Sequence, residues 1–340
     1  MKGRFLRRMS QVSLMVLVVL AGAVGGLRSG STGTLTKVTI GHSNIRNEIA
    51  ALWVPERQGI FRKYGLDAEI VLVEGGRLMI QAIVSGTVPS GFTGATTVAS
   101  AVAGGADAVM ILGITNQLSY DIWAKPEIKS PQDFKGKSLA ISSFGSSSHL
   151  ATFLLLKHFG IDPVRDRVTL LTLGNETQRA QALLAGRIDG TLIDHSVAGR
   201  LQEGKYSFLG DMGQLGVPFI NNALVSTRSY VRQNPQIAEA IVKSILEANA
   251  FILNPANKEM VTKILTRYLR LDVKKAEEAY KDLLPKVEKK PYPNMTATTA
   301  TLEFLSATNP KVKEVRAEQL IDVSILRRLD QEGFIDHLYR

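Results

Sequence analysis

The chain has 340 residues, with 41 lysines and arginines against 31 aspartates and glutamates, so its formal net charge is +10. It contains no cysteine, which excludes disulfides, thiolate metal sites, thiol nucleophiles and the lipid-modified cysteine of a tethered lipoprotein. We interpret the basic surplus as a solvated surface rather than a specific anion site, and we expect no nucleic-acid partner.

The first residues indicate an export signal. Four basic residues precede an apolar run from Val12 to Val24, and no acidic residue occurs before position 48. The run is shorter than the roughly 20 residues that cross a bilayer, and Ala21-Gly22-Ala23 has the small residues of a signal-peptidase site. We expect a cleavable signal peptide at 1–23, a flexible spacer at 24–34 and a free periplasmic protein. An uncut membrane anchor is the alternative.

Strands and helices then alternate, which predicts an α/β fold with helices on both sheet faces. In the first half, alternating and apolar patterns predict strands at Lys37–His42, Leu66–Val73 and Ala106–Ile114. The second half repeats the pattern, with a short helix from Ser130, strand Lys137–Ile141, helix His149–Phe159, strand Arg167–Leu173, helix Glu176–Ala185 and strand Ile188–Ile193.

One short stretch occurs twice, one hundred positions apart, as Gln81–Pro89 and Gln181–Asp189. Each copy predicts a helix end, a glycine able to adopt positive φ, and a short apolar strand. Each strand runs into a polar loop, Thr93-Gly94 or Asp194-His195. Because ligands bind at the carboxyl ends of strands in open α/β sheets, the repeat predicts two similar lobes around a shared crevice. A chance match of short apolar helix ends is the alternative.

Beyond Phe219 the pattern becomes helical, apart from a strand at Ile220–Val225 that would return to the first lobe. We therefore expect two crossings between lobes, near Gln117–Asp121 and Phe219–Ala223, which together make a hinge. The predicted first lobe comprises 35–118 and 223–340, and the predicted second lobe is 119–222. Helical spacing predicts helices at Ile237–Leu253, Asn257–Leu269, Val273–Leu284 and Val323–Leu338.

Several segments resemble periplasmic solute-binding proteins of nitrate, taurine and alkanesulfonate importers, which carry the NMT1/THI5-like domain (SsuA/TauA-like). They are Ala51–Glu69, Gly75-Gly76, Asp133–Lys137 and Gly145–Leu150. The resemblance extends from about Val38 to Asp336. It implies a periplasmic-binding-protein type II-like fold, with two α/β lobes, a ligand cleft and a two-segment hinge. It also implies an ABC permease and its ATPase subunit as partners of a monomeric protein.

The chain departs from this family pattern at one point. Val88-Pro89 stands where such proteins usually carry an acidic residue, whereas the second lobe keeps that acid at Asp189. We interpret the usual acid as structural, so ligand binding would survive its absence, although the strand that leads to Thr93 could sit differently.

The sharpest candidate site is the segment Ser142–Ser148, between a predicted strand and a predicted helix. A helix start leaves backbone N–H groups unpaired and carries partial positive charge, so it can hold a carboxylate, sulfonate or phosphate. Glycine allows close approach of the backbone, and hydroxyls supply adjustable donors. We predict ligand contacts by Ser143, Gly145, Ser146, Ser147 and Ser148. Plain N-capping by one serine is the alternative.

Further ligand contacts are predicted on both lobes, some of them implied by the family resemblance. They are Ser43, Asn44, Trp53, Gly76, Thr93, Gly94, Asp194 and Asn222. Their alternatives are turn formation for the loop residues, burial for the tryptophan and helix capping for the aspartate. His42, His149 and His195 fall at strand-to-helix loops of different lobes without a metal-ligand spacing, so we expect neither a metal nor a cofactor.

Catalytic signatures are missing from the sequence. It has no Gly-x-Ser-x-Gly elbow, no Ser-His-Asp order and no phosphate-binding Walker loop, and we expect no enzyme. The related pyrimidine-precursor synthases carry a cysteine-rich signature that this chain lacks. The resemblance implies a substrate-binding protein of an ABC importer that captures a small polar, anionic organic solute. A ligand-sensing module for a membrane receptor is the alternative.

Overall fold

The computed structural model describes residues 34–216, 218–307 and 309–340. Within these ranges, ten strands form two five-stranded sheets. They are β1 (Thr36–His42), β2 (Leu66–Leu72), β3 (Ser90–Thr93), β4 (Ala108–Gln117), β5 (Asp121–Ala124), β6 (Ser138–Ile141), β7 (Thr169–Thr172), β8 (Gly190–Ile193), β9 (Ser207–Asp211) and β10 (Pro218–Thr227). The predicted signal peptide, and the predicted spacer up to residue 33, lie outside the described residues.

Helices surround both sheets. They are α1 (Ala50–Arg57), α2 (Ile60–Lys63), α3 (Gly76–Val84), α4 (Ala95–Ala103), α5 (Ser147–His158), α6 (Glu176–Leu184), α7 (Gly199–Glu203), α8 (Arg228–Gln233), α9 (Pro235–Leu253), α10 (Lys258–Leu269), α11 (Val273–Leu283), α12 (Met295–Ser306), α13 (Ser324–Gln331) and α14 (Phe334–His337). None of the helices in the described ranges combines the length and the apolar character that a membrane crossing requires.

The two sheets share one topology. Their strand orders are β2-β1-β3-β10-β4 and β7-β6-β8-β5-β9. The first three strands of each order are parallel, and the fourth is antiparallel to both of its neighbours. We call the elements around the first sheet the first lobe and those around the second sheet the second lobe. The predicted α/β fold with two lobes is confirmed.

The hundred-residue repeat in the sequence is a repeat of structure. α3 precedes β3 in the first lobe as α6 precedes β8 in the second. Gly86 and Gly186, which follow these helices, have φ of 78° and 69°. Glycine occupies this left-handed region without steric cost, so one residue type ends the helix in both copies. The two stretches are therefore equivalent helix–strand units.

The fourth strand of each sheet is delivered by the chain as it crosses from the other sheet. β4 of the first sheet leads directly into β5 of the second, and β9 of the second leads back into β10 of the first. Both passages fall near the predicted crossings. However, β10 begins at Pro218, whereas the predicted boundary assigns residues up to 222 to the second lobe. β5 and β9 were not predicted as strands.

Apolar side chains cover both faces of both sheets. In the first lobe, one face packs against α1 and α9 through residues such as Leu52 and Leu246, and the other packs against α3 through Ile83. In the second lobe, α5 contributes Leu155 to one face and α6 contributes Leu183 to the other. Each such buried side chain stabilises the fold by about 1.5–3 kcal/mol relative to an exposed one. The predicted helix at Val323–Leu338 is broken in two by Gly333, whose φ is 74°.

Asp189, the acidic residue at the end of the second repeat copy, makes contacts that stabilise the second lobe. Asp189 Oδ1 lies 2.8 Å from Lys125 Nζ, and its Oδ2 accepts hydrogen bonds from the backbone N–H and the hydroxyl of Ser138, both at 2.8 Å. Burial acts to raise the pKa of Asp189, but these partners hold it below its ordinary value. The first lobe instead buries Val88 in its core, and Pro89 accepts a hydrogen bond from Ser226.

Replacing Asp189 by alanine should lower the free energy of unfolding by about 1–3 kcal/mol, because it removes two hydrogen bonds to a charged group and one ion pair. The measurement is the urea midpoint of the full chain. Asp67→Ala is the matched control, since Asp67 forms only an exposed ion pair with Arg62 at 3.8 Å and should change stability by less than about 1 kcal/mol. Equal losses in the two variants would contradict the structural role of Asp189.

Candidate functional site

A small polar cavity of about 40 Å³ lies where the carboxyl ends of the parallel strands of both lobes meet. Its first-lobe lining consists of Ser43, Asn44, Arg46, Gly75, Gly76, Thr93, Gly94 and Thr97. Its second-lobe lining consists of Ser142, Ser146, Ser147, Ser148, Asn175, Glu176 and Arg179. The crossing segments add Tyr120 and Asn221. This volume holds roughly three water molecules or a compact solute, so a larger solute could enter only if the lobes moved apart.

Two wider cavities, of about 570 and 610 Å³, lie elsewhere on the surface. The first runs between α6 and α7 of the second lobe and the turn from α10 to α11. The second lies beside the crossing segments and is lined by His195 and Phe208. The polar cavity differs from both because strand ends and helix starts of both lobes converge on it. We therefore take it as the candidate site.

Four helices begin at the cavity. It is lined by the N-terminal residues of α3 (Gly75-Gly76), α4 (Gly94), α5 (Ser146–Ser148) and α6 (Asn175-Glu176). Unpaired N–H groups and the helix dipole give each start a partial positive charge. The first turns of α3, α4 and α5 lie wholly within the described residues and contain no acidic side chain that would neutralise this positive charge. These three starts therefore present partial positive charge to the cavity, whereas α6 carries Glu176 in its first turn.

The serine-rich loop before α5 caps that helix and also contributes side chains to the lining of the cavity. Ser146 caps α5, since its Oγ accepts a hydrogen bond from the backbone N–H of His149 at 3.3 Å, and it also donates to the carbonyl of Ser143 at 2.6 Å. Gly145 has φ of 79° and donates its N–H to His149 Nδ1. Ser143 and Gly145 shape this loop and are not among the lining residues, whereas Ser146, Ser147 and Ser148 are.

The two lobes touch at the cavity through a glycine. Ser147 Oγ of the second lobe lies 3.4 Å from Thr96 Oγ1 of the first. A Cβ atom on Gly94 would lie 1.8 Å from Ser147 Oγ and 3.0 Å from the carbonyl oxygen of Asn221. Both distances are shorter than ordinary carbon–oxygen contacts. The absence of a side chain at Gly94 is therefore what allows this approach of the lobes.

Three buried oxygen atoms of lining residues have no hydrogen-bond partner within the described structure. We call them the open oxygens; they are Thr93 Oγ1, Asn44 Oδ1 and Asn221 Oδ1. Thr93 is 0% exposed and Asn221 is 2% exposed. Leaving a buried polar group unpaired costs about 1–3 kcal/mol, and nearly all such groups in folded proteins are paired. Their missing partners are consistent with a solute or water in the cavity.

Besides Ser143 and Gly145, three further predicted contacts do not line the cavity. Trp53 is buried in the first lobe, where its ring stacks on Tyr268 at 4.6 Å. Asp194 is fully buried and caps the turn after β8 by accepting hydrogen bonds from the N–H and the hydroxyl of Ser196. Asn221 lines the cavity in place of Asn222, because successive strand side chains point to opposite faces.

The lining also contains residues that sequence reasoning missed. They are Arg46, Thr97, Tyr120, Ser142, Asn175, Glu176, Arg179 and Asn221, together with Gly75 beside the predicted Gly76. The repeat could have indicated two of them, since Asn175 and Glu176 are the second-lobe counterparts of Gly75 and Gly76. Arg46 carried no such signal. Its role depends on partners from the other lobe, more than one hundred residues away along the chain.

Arg46 is the centre of a buried charge cluster that joins the lobes. Its Nε lies 2.9 Å from Glu176 Oε1 of the second lobe, and its Nη1 lies 3.1 Å from Glu48 Oε1. Its Nη2 donates a hydrogen bond to the hydroxyl of Tyr120 at 3.2 Å. Burial acts to lower the pKa of Arg46, but the carboxylates of Glu176 and Glu48 hold it well above its ordinary range. The guanidinium therefore stays charged.

The same cluster extends to the C-terminal part of the first lobe. Lys286 Nζ lies 3.3 Å from Asp194 Oδ2 and 2.6 Å from Asp282 Oδ2. Burial acts to raise the pKa of Asp194, but Lys286 and Arg46 hold it below its ordinary value. Burial raises the pKa of Glu48 to about 7, against the effect of Arg46. The predicted ligand residue Asp194 is thus occupied by cations of the first lobe.

The three histidines considered as metal ligands each contact a different group. His42 Nδ1 lies 2.6 Å from the carbonyl oxygen of Asn44, and His195 Nδ1 lies 2.9 Å from Asp121 Oδ2. His149 accepts the N–H of Gly145. The hydrogen bond to Asp121 raises the pKa of His195 to about 8. Across the described ranges, no three His, Cys, Asp or Glu side chains are grouped to hold a metal ion.

Comparison with known proteins identifies a family. A family model described as NMT1/THI5 like matches residues 46–258. A protein of Brucella abortus (strain 2308), named provisionally as a binding protein, is 24% identical over 222 residues, which are 64% of this chain and 67% of that protein.

Two solved structures share the fold. The periplasmic nitrate-binding protein NrtA from Synechocystis PCC 6803 aligns with a TM-score of 0.75 at 14% identity, covering 90% of this chain and 91% of that chain. The alkanesulfonate-binding protein SsuA from Xanthomonas axonopodis pv. citri, bound to MOPS, aligns with a TM-score of 0.65 at 18% identity, covering 87% and 98%. The fold is therefore that of type II periplasmic binding proteins.

Replacing Gly94 by alanine should force the lobes apart, because the new methyl group has no room beside Ser147. Overpacking of this kind costs about 1–3 kcal/mol. Small-angle X-ray scattering should give a larger radius of gyration for Gly94→Ala than for the unsubstituted protein. Gly199→Ala is the control, since its Cβ would meet no atom of the described structure closer than 3.7 Å. Identical scattering from the two variants would show that Gly94 does not limit the approach of the lobes.

Proposed function

Because the chain belongs to the NMT1/THI5-like family, we propose that it is the substrate-binding protein of an ABC importer. It captures a small polar, anionic solute in the cavity between its lobes and delivers it to a membrane permease. The observation that carries this proposal is the convergence of four helix starts and the open oxygens on one interlobe cavity. A charged or polar solute would satisfy both features at once.

Binding is coupled to closure of the lobes. Several contacts link the lobes in the closed arrangement, including the ion pair between Arg46 and Glu176 and the hydrogen bond from Gln178 Nε2 to Glu74 Oε2 at 2.9 Å. A solute adds contacts to residues of both lobes that cannot form when the lobes are apart. Since a ligand shifts an equilibrium only by its difference in affinity for the two states, such contacts favour closure. The two crossing segments supply the hinge.

The permease then recognises the closed protein, and ATP is hydrolysed by a separate ATPase subunit. The protein acts as a monomer in the periplasm after removal of its signal peptide. The basic N-terminus with its short apolar run supports export, and NrtA, of the same fold, is named as a periplasmic protein. Family relatives named as binding proteins support a role in binding rather than catalysis.

The proposal is tested by removing one open oxygen without changing shape. Thr93→Val replaces a fully buried hydroxyl that lines the cavity by a methyl group. If the hydroxyl bonds a charged solute, affinity should fall about ten- to hundred-fold, because such bonds contribute about 1.5–3 kcal/mol. Native mass spectrometry of freshly purified protein should show a retained solute in the unsubstituted chain and a reduced fraction in Thr93→Val.

Thr115→Val is the matched control. Thr115 is also 0% exposed, and its Oγ1 has no hydrogen-bond partner in the described part of the chain, but it does not line the cavity. This variant should retain the solute fully and keep its thermal stability, whereas Thr93→Val should lose the part of the stability that the bound solute supplies. Retention of the solute by Thr93→Val at the unsubstituted level would count against binding in this cavity.

A further inference from the structure

The residues that line the cavity constrain the size and polarity of the solute as well as its charge. Of the lining residues that the structure describes, none carries an aliphatic side chain, and Tyr120 is the one aromatic residue. The cavity measures about 40 Å³, well below the roughly 150 Å³ of a cavity that binds benzene. An alkyl or aryl tail would find neither space nor apolar surface here. The cavity therefore suits a compact solute without a tail.

The open oxygens add a second constraint. The Oδ1 atoms of Asn221 and Asn44 are carbonyl oxygens, which can only accept hydrogen bonds. The amide of Asn221 is oriented by its Nδ2, which donates to Ser119 Oγ at 2.6 Å, and the amide of Asn44 by its Nδ2, which lies 3.4 Å from Ser43 Oγ. An anion composed only of acceptor oxygens offers these two atoms nothing. An N–H or O–H group on the solute would pair with them directly, without a bridging water.

Donors for an anionic group are supplied elsewhere in the lining. The starts of α3, α4 and α5 present unpaired N–H groups without an acidic residue in the first turn. Arg46 and Arg179 are already engaged, the first by Glu176 and Glu48, and the second by the carbonyl oxygens of Gly174 and Leu192. The helix starts and the lining hydroxyls, such as those of Ser43 and Ser147, are thus the donors that remain for the anion.

We propose that the solute is a compact oxyanion or small acid that also carries at least one N–H or O–H donor, held by Asn221 and Asn44. This inference rests on the proposed function and deepens it. It sets the chain apart from a nitrate receptor, whose ligand has no donor, and from an alkanesulfonate receptor, whose ligand has an apolar tail. Asn221 is the principal specificity-determining residue, since it is 2% exposed and lies on a crossing strand.

The test compares anions that match in size but differ in one donor. Isothermal titration calorimetry of the full chain at pH 8 would use bicarbonate against nitrate and glycolate against propionate. We expect the donor-bearing member of each pair to bind at least about ten-fold more tightly, because its partner leaves a buried acceptor unpaired. Equal affinities within the pairs, or tighter binding of nitrate and propionate, would overturn the inference.

Two variants assign the preference to Asn221. Asn221→Leu removes the acceptor, so the members of each pair should bind within about three-fold of each other. Asn221→Asp keeps the shape and the acceptor oxygens, so all four anions should bind more weakly while the preference for donors persists. A preference that survives in Asn221→Leu, or is lost in Asn221→Asp, would overturn the assignment.

The proposed function has a separate outcome. If no anion of either pair binds, and native mass spectrometry finds no retained solute, the proposed function fails and this inference fails with it. If an alkanesulfonate such as octanesulfonate binds more tightly than any of the four compact anions, the proposed function stands and the inference is overturned. Binding of glycolate or bicarbonate, with loss of the preference in Asn221→Leu, supports both.

Discussion

The buried ion pair between Arg46 and Glu176 is the interaction on which the closed arrangement depends. Each side chain is almost fully enclosed, at 2% and 4% exposure, and each comes from a different lobe. A buried charge is costly unless it is paired and hydrogen-bonded, so removal of either residue would leave the other with weaker compensation. Tyr120, Glu48 and Asp194 complete the surroundings of the guanidinium. Separation of the lobes would therefore break this pair, whereas Glu48 would stay beside Arg46 and Arg179 beside Glu176.

In the proposed function, this cluster also leaves the neighbouring cavity small and able to select its solute. Since the charged side chains of the site compensate one another, they leave the helix starts and the open oxygens to meet a solute. The helix starts and the open oxygens are held in place by the backbone or by neighbouring side chains. They would therefore discriminate between solutes by size and by hydrogen-bonding pattern. Gly94 allows the two halves of the lining to approach. On the proposed function, closure, selection and the fit of the solute would all depend on the same packing of the two lobes.

Most of the fold could be predicted from local patterns, but the site only in part. Apolar periodicity and the repeat indicated the parallel strands and helices of both lobes, since those signals lie within a few residues of one another. Serine and glycine at helix starts indicated Ser146, Ser147, Thr93 and Gly94, all of which line the cavity. The capping role of Asp194 was given as the alternative to ligand contact, and the structure shows it. Arg46, and the ion pairs of Asp194 with Arg46 and Lys286, could not be assigned, because those partners come from the opposite lobe. Asn221 lines the cavity although Asn222 was predicted to do so. Neighbouring strand residues point to opposite faces of the sheet, and the sequence of this short strand did not show which of the two faces the cavity.

The central claim is that a solute occupies the small polar cavity between the lobes, bound by residues of both. A crystal structure of the protein purified without unfolding, at a resolution that separates water from small solutes, tests it most directly. The account predicts continuous density for a compact solute within hydrogen-bonding distance of Thr93 Oγ1 and Asn221 Oδ1, with the start of α5 on its other side. Density for water alone at these atoms, with a solute bound in one of the two wider surface cavities, would contradict it.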